Sequence, residues 1–204
     1  MRKEKLEELN EYVELLKTKR KTLLEKTGNF INVEKYLIEL NNGEVITREK
    51  ILKGNTSGNA SIVLPVTVDG NVILVVQPRV FTKSGVGIEL PAGYVDEGED
   101  YEDAARRELY EETGYAPENM ILLGEFYQDQ GCSGAYNKSF LAEGCRKIGT
   151  QCLDSSEFIK YFECSFDEVL ELVEKGYISD VYGDEPIEIG STEVFVEPNF
   201  TENV

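Results

Sequence analysis

The sequence predicts an α/β fold with one main domain, on three observations. Short alternating apolar runs are punctuated by tight-turn signals, the pattern of β-strands. Residues 100–113 and 165–175 carry helical spacing with glycine stops at Gly114 and Gly176. The 204 residues and 41% apolar content suit a globular chain with a sizeable core.

Taken in order, residues 3–26 read as a helix. Leu6, Leu9, Val13, Leu16 and Leu23 recur at alternating steps of three and four, with Arg20 in one seam position. That narrow stripe suits packing on its own domain or a contact in a dimer, and the sequence leaves both open. Thr27-Gly28-Asn29 breaks the helix. Phe30–Leu40 and Glu44–Leu52 alternate like strands around the hairpin signal Asn41-Asn42-Gly43. After the Ser57-Gly58-Asn59 loop, Ser61–Val68 and Asn71–Gln77 flank the Asp69-Gly70 turn. Phe81–Gly87 reads as loop, Ile88–Pro91 as a short strand, and Gly93–Glu99 as a glycine- and acid-rich loop. The helix at 100–113 follows. Met120–Tyr127, Lys138–Glu143 and Phe158–Glu163 read as strands, and Ser165 opens a last helix to about Lys175. The expected division is a helix at 1–28, a small β extension at 29–56, the main domain at 57–180, and an acidic tail at 181–204.

Charge narrows the function classes. The net charge is −18, from 39 acids and 21 bases. Such a surface does not hold nucleic acid by counterion release, and it repels anionic membranes. It also repels a phosphate-bearing substrate unless a divalent cation lies between them. Histidine is absent, so acid–base work falls to other side chains. Cys132, Cys145, Cys152 and Cys164 form no metal spacing and read as reduced thiols. No apolar run has the length of a membrane span, and the charged N-terminus is unlike a signal peptide. The cytoplasm is the expected location.

The chemistry concentrates in Gly93–Tyr115, GYVDEGEDYEDAARRELYEETGY. On a helix Glu108 and Glu112 lie one above the other, and Glu111 shares their face. Like charges at this spacing weaken a helix by roughly 0.2–0.5 kcal/mol per pair, so a cation between them is the simplest explanation. Carboxylate oxygens suit Mg²⁺, with Mn²⁺ as the alternative, rather than zinc. Arg107 can pair with a neighbouring acid, and Gly93 and Gly98 let the loop bend back over the helix start. An isolated glutamate pair would be read as a solvated face; this one comes with Gly93, Glu99, Arg107, Leu109 and Gly114 at fixed offsets.

Those offsets resemble the Nudix box: Gly, five residues, Glu, seven residues, Arg-Glu-aliphatic, one residue, Glu-Glu, one residue, Gly-aliphatic. Only Tyr115 departs, at a packing position. The resemblance implies an α/β/α sandwich with a mixed sheet, in which the box forms loop, helix and loop. It also implies roles. Glu108 and Glu112 would be the main metal ligands with help from Glu111 and the Ala92 carbonyl, while Glu99 and Arg107 orient the helix. Upstream, Gln77, Arg79 and the run Glu89–Gly93 look like the branch of ADP-ribose pyrophosphatases and related nucleoside diphosphate sugar hydrolases. Gln77, Arg79 and Glu89 would then bind substrate, Arg79 contacting a phosphate; the plain alternative for Arg79 is a surface charge. The β extension resembles that branch's dimerising segment, which implies a homodimer. The resemblance spans roughly residues 30–178.

The loop after the box, YQDQGCSGAYN, lacks the proline often found there in that branch. It leaves Tyr127, Gln128 and Asp129 as candidate substrate contacts and leaves the sugar and base open. The catalytic base would be Glu157 or Asp154, and Glu157 could instead be a further metal ligand. The expected reaction is Mg²⁺-dependent hydrolysis of a nucleoside diphosphate sugar, ADP-ribose foremost, to a nucleoside monophosphate and a sugar phosphate. The rivals are a nucleoside triphosphate pyrophosphohydrolase and a non-catalytic nucleotide-sugar sensor.

Overall fold

The computed structural model describes residues 3–16, 30–39, 45–53 and 58–178. Arg20, Leu23, the Thr27-Gly28-Asn29 break, the Asn41-Asn42-Gly43 turn and the acidic tail lie outside the described residues.

Helix α1 (Lys3–Leu16) is followed by β1 (Ile31–Glu39) and β2 (Val45–Lys53). These two strands form an antiparallel pair of their own, with Ile31 opposite Lys53 and Glu39 opposite Val45. The main sheet begins with the hairpin β3 (Ala60–Thr67) and β4 (Val72–Arg79), closed where Thr67 N–H donates to the Asn71 carbonyl at 2.8 Å. It continues through β5 (Gly85–Glu89), β6 (Ala92–Tyr94), β7 (Tyr115–Ala116), β8 (Asn119–Tyr127), β9 (Tyr136–Lys147) and β10 (Lys160–Cys164). Helices α2 (Tyr101–Thr113) and α3 (Phe166–Glu174) complete the fold.

The strand order is β10-β4-β3-β9-β7, with β5 on β4, β6 on β3 and β8 on β9. The β3–β9 pairing is parallel and the others are antiparallel, so the sheet is mixed. Val72 to Val76 of β4 are all buried, as expected of a central strand covered on both faces. Alternation sends Val72, Leu74 and Val76 into one core with Leu9, Phe162 and Leu172, and Ile73 into another with Val63, Ala105, Leu109 and Phe140. Helices α1 and α3 therefore cover one face and α2 the other. This is the α/β/α arrangement.

The narrow stripe of α1 packs on its own chain. Leu9 is 1% exposed, with Tyr12 and Val13 beside it against β4 and β10, and Lys5 pairs with Glu168 of α3 at 3.0 Å. No described helix is long and apolar enough to cross a membrane. The four cysteines are free, and Cys145 and Cys164 are buried.

Several boundaries differ from the sequence reading. Strand β5 begins at Gly85, inside the expected 81–87 loop, because the turn bonds of Thr82 bring the chain straight back onto β4 with Gly85 opposite Arg79. Ala92–Tyr94 is strand rather than loop, since the lower half of β3 is left open by β4 and takes β6 as its neighbour instead. Strand β9 runs well beyond 138–143 because it borders β3, β7 and β8 in turn. Strand β10 starts at Lys160, not Phe158.

Candidate active site on the box helix

Helix α2 is fixed at its start by Asp100, whose side chain accepts from Glu102 N–H at 2.8 Å, with Glu102 and Asp103 in the favourable first turn. Ala104, Ala105 and Leu109 form its buried apolar face. Gly114 ends it in the left-handed conformation, φ 72°.

Arg107 is the hub of the acids around this helix. Its guanidinium meets both oxygens of Glu99 at 2.9 Å, Glu108 at 2.7 Å, Glu111 at 3.0 Å and the Tyr94 carbonyl at 2.9 Å. Glu99 is held below the usual carboxylate range by that guanidinium, and Arg107 is itself held firmly protonated, first by Glu99. Glu108 is raised by burial, although Arg107 opposes the shift.

Glu112 is only 3% exposed. It accepts from Ala92 N–H at 3.2 Å, and among the described residues no ammonium or guanidinium pairs with it. Burial, reinforced by the charges of Glu108, Glu157 and Glu89, pushes its carboxyl to about 9. Glu108 lies against Gly93: a Cβ there would stand 2.0 Å from the Glu108 carboxyl carbon. Gly93 therefore serves by leaving room for a carboxylate, while Gly98 provides the backbone bend at φ 83°.

The donor set is carboxylate and backbone oxygen, which suits a hard divalent cation. Among the described residues no three candidate ligands converge on a single metal-sized point. Glu108 and Glu111 are turned onto Arg107, and Glu112 onto the Ala92 amide. The fit to a cation rests instead on burial. Acids this enclosed and mutually repelling are costly to ionise without a compensating positive charge.

Arg79 makes a two-point contact with Glu89, 2.6 Å from Nε to Oε1, and Gln77 donates to the same carboxylate at 3.2 Å. Glu89 is 5% exposed, so it lies beneath Arg79 and aims it. Gly87 makes room for this pair, since a Cβ there would fall 1.7 Å from Glu89 Oε1.

Glu157 and Asp154 close one small turn: Glu157 N–H donates to the Asp154 carbonyl at 3.0 Å, and Asp154 N–H donates to the Glu157 carboxylate at 2.9 Å. The charge of Glu157 is felt at both Glu108 and Glu112.

Tyr127, Gln128 and Asp129 lie at the far end of β8. The Tyr127 ring stands 4.8 Å from that of Tyr136, Gln128 accepts from Lys53, and Asp129 accepts from Gly131 N–H and the Cys132 thiol. Ile51 N–H donates to the Cys132 carbonyl at 2.7 Å, tying this loop to β2. Gly87 and Gln151, whose amide joins α2 to Ile159 just before β10, were not singled out from sequence. Gln151 depends on partners distant in sequence, whereas Gly87 shares a face with Glu89 only once both lie in β5.

Residues 57–182 match the NUDIX domain family. The ADP-ribose pyrophosphatase of Bacillus subtilis (strain 168) is 34% identical over 169 residues, covering 78% of this chain and 89% of that protein. The methanol dehydrogenase activator of Bacillus methanolicus is 30% identical, covering 76% and 81%. The GDP-mannose pyrophosphatase of Yersinia pestis (strain Pestoides F) is 31% identical, covering 74% and 80%. The crystal structure of an ADP compounds hydrolase superposes with a TM-score of 0.61 at 21% identity over 72% of this chain and 77% of that one, a likeness of fold. The chain belongs to the NUDIX family and is a Nudix pyrophosphohydrolase.

Proposed function

We propose that this enzyme hydrolyses, with Mg²⁺, the diphosphate bridge of a nucleoside diphosphate sugar, with ADP-ribose as the first substrate to test. The products would be a nucleoside monophosphate and a sugar phosphate. The observation that carries the reading is Glu112, enclosed among Glu108, Glu157 and Glu89. A carboxylate so placed is explained by a cation that arrives with a phosphate substrate. Two relatives act on nucleoside diphosphate sugars by name, the ADP-ribose and GDP-mannose pyrophosphatases.

Glu108 and Glu112, with the Ala92 carbonyl, would hold the metal. When bound, it supplies charge neutralisation for the diphosphate and acidifies the attacking water. Glu99, Arg107 and Glu111 keep the helix acids in register. Arg79, aimed by Glu89 and Gln77, meets a phosphate oxygen as charge develops there. Glu157 is preferred over Asp154 as proton acceptor for the water, because its charge reaches the two ligand glutamates. Tyr127, Gln128 and Asp129 would contact base or sugar. Exposed Val33, Leu37 and Val45 on β1 and β2, with Leu122 and Phe126 on β8, are the surface a second copy would cover, so the working unit is proposed as a cytoplasmic homodimer. The 1–28, 29–56, 57–180 and 181–204 division is kept as part of the same reading.

The test is hydrolysis of ADP-ribose, UDP-glucose and GDP-mannose side by side, with Mg²⁺, with Mn²⁺ and with chelator, reading released phosphomonoester. ADP-ribose should turn over fastest, and chelator should abolish turnover. Undiminished hydrolysis in chelator would refute the metal role; a preference for GDP-mannose would replace the substrate and keep the reaction.

A further inference from the structure

We propose that Gln151 is a positioning residue for this reaction, a two-point tie that sets the Glu157 loop against the end of the box helix. The inference rests on the reading above that Glu157 serves the hydrolysis.

The last four carbonyls of a helix have no partner within it. In α2 these belong to Tyr110, Glu111, Glu112 and Thr113, and each is taken. Gly114 N–H donates to Tyr110 at 2.6 Å and Cys152 N–H donates to Glu111 at 2.8 Å. Gln151 Nε2 donates to Glu112 at 2.6 Å and Lys147 Nζ to Thr113 at 2.5 Å. Apart from Gly114, every donor lies in the single segment 147–152. That segment is further bound where Ile148 and Gly149 N–H groups donate to the Gly114 carbonyl at 3.0 and 3.1 Å.

Gln151 differs from the other donors because its amide nitrogen makes a second bond, 3.1 Å to the carbonyl of Ile159. A primary amide has two N–H groups, and here each meets one carbonyl. Both partners are pure acceptors, so only the nitrogen can face them. Glu112 carries a proposed metal ligand, and Ile159 lies two residues beyond Glu157. Ile159 is buried, while residues 154–158 between the two ties are exposed. The amide is thus a direct link between the backbone of Glu112 and the anchored end of the loop that bears Glu157.

The test uses Gln151→Met, which keeps length and loses both donors, and Gln151→Asn, which is too short to bridge. Each is made alone and with Glu157→Gln in the full chain. Gln151→Met should lower kcat by about 10²-fold with KM for ADP-ribose little changed, the size of effect a displacement of about 1 Å produces. Gln151→Asn, the milder variant, should fall in between. In the Glu157→Gln background the Gln151 changes should cost almost nothing more, because residues that act through one another are non-additive. Amide hydrogen exchange across residues 152–158 should quicken in the metal-free variants. Equal fold losses in both backgrounds, or unchanged exchange, would overturn the tie. Near-normal turnover of Glu157→Gln alone would instead overturn the role given to Glu157, an outcome the exchange measurement keeps separate.

Discussion

Replacing Glu112 by Gln should abolish hydrolysis and, with metal removed, make the protein more stable. The Glu112 carboxyl is raised from 4.5 to about 9 by burial among like charges. A raised carboxyl contributes stability that is complete below 4.5 and is lost as pH climbs towards 9, because the unfolded chain releases a proton that the folded chain keeps. Each pH unit in that window costs about 1.4 kcal/mol, so at about pH 7.5 the sum is about 4 kcal/mol as an upper bound. Glutamine has the same shape, can still accept from Ala92 N–H, and needs no proton. The metal-free variant should therefore gain up to about 4 kcal/mol at about pH 7.5, or about 2–4 °C in Tm per kcal/mol for a chain of this size. The gain should vanish near pH 4.5. Saturating Mg²⁺ should stabilise the wild type and leave the variant where it was. Calorimetry in chelator and in Mg²⁺ across this pH range reads all three effects, and phosphomonoester release reads the loss of hydrolysis. A variant less stable than wild type in chelator at pH 7.5, or an equal Mg²⁺ shift in both, would refute the account of Glu112 as a carboxylate waiting for a cation.

Gly93→Ala should place a methyl 2.0 Å from the Glu108 carboxyl carbon and push that side chain out of register. We expect kcat to fall by about 10²-fold with a higher Mg²⁺ requirement, measured by metal titration of the rate, and an unchanged titration would count against the close approach. Leu9→Ala should cost about 2–5 kcal/mol, seen in denaturant melts, while hydrolysis survives at low temperature; a cost under about 1 kcal/mol would show that α1 is not part of the core.

The box was legible because its chemistry sits on one helix, where spacing alone decides which acids share a face. Its helix limits, its Gly114 stop and the shared face of Glu108, Glu111 and Glu112 could be read this way, but not that Arg107 gathers Glu99, Glu108 and Glu111 together. Contacts between distant segments could not. Nothing in the sequence says that β6 takes the place beside β3 that β4 leaves open, or that Glu89 pairs with Arg79. Gly87 is hidden for a different reason: in a loop at 81–87 it has no defined face, and only as part of β5 does it share one with Glu89, two residues on. The α1 stripe was ambiguous because its period reveals an apolar face but not what covers it, and the answer lies in β4, β10 and α3.

Both helices of the main domain end on acids, with no basic residue in the last turn: Glu111 and Glu112 in α2, Glu171 and Glu174 in α3. That is against the sign the helix dipole favours. Helix α3 answers it locally, since Lys175 at its C-cap pairs with Glu171. Helix α2 has no such cation next to its end. What compensates is the strap at 147–152, which satisfies its final carbonyls and brings the Lys147 ammonium to the C-terminus that lacks a cation of its own. Net contributions of about 1 kcal/mol per hydrogen bond exceed the roughly 0.2–0.5 kcal/mol per like-charge pair along the helix. The acids can therefore face the site because the helix is held from outside its own sequence, and the segment that holds it also reaches the loop bearing Glu157.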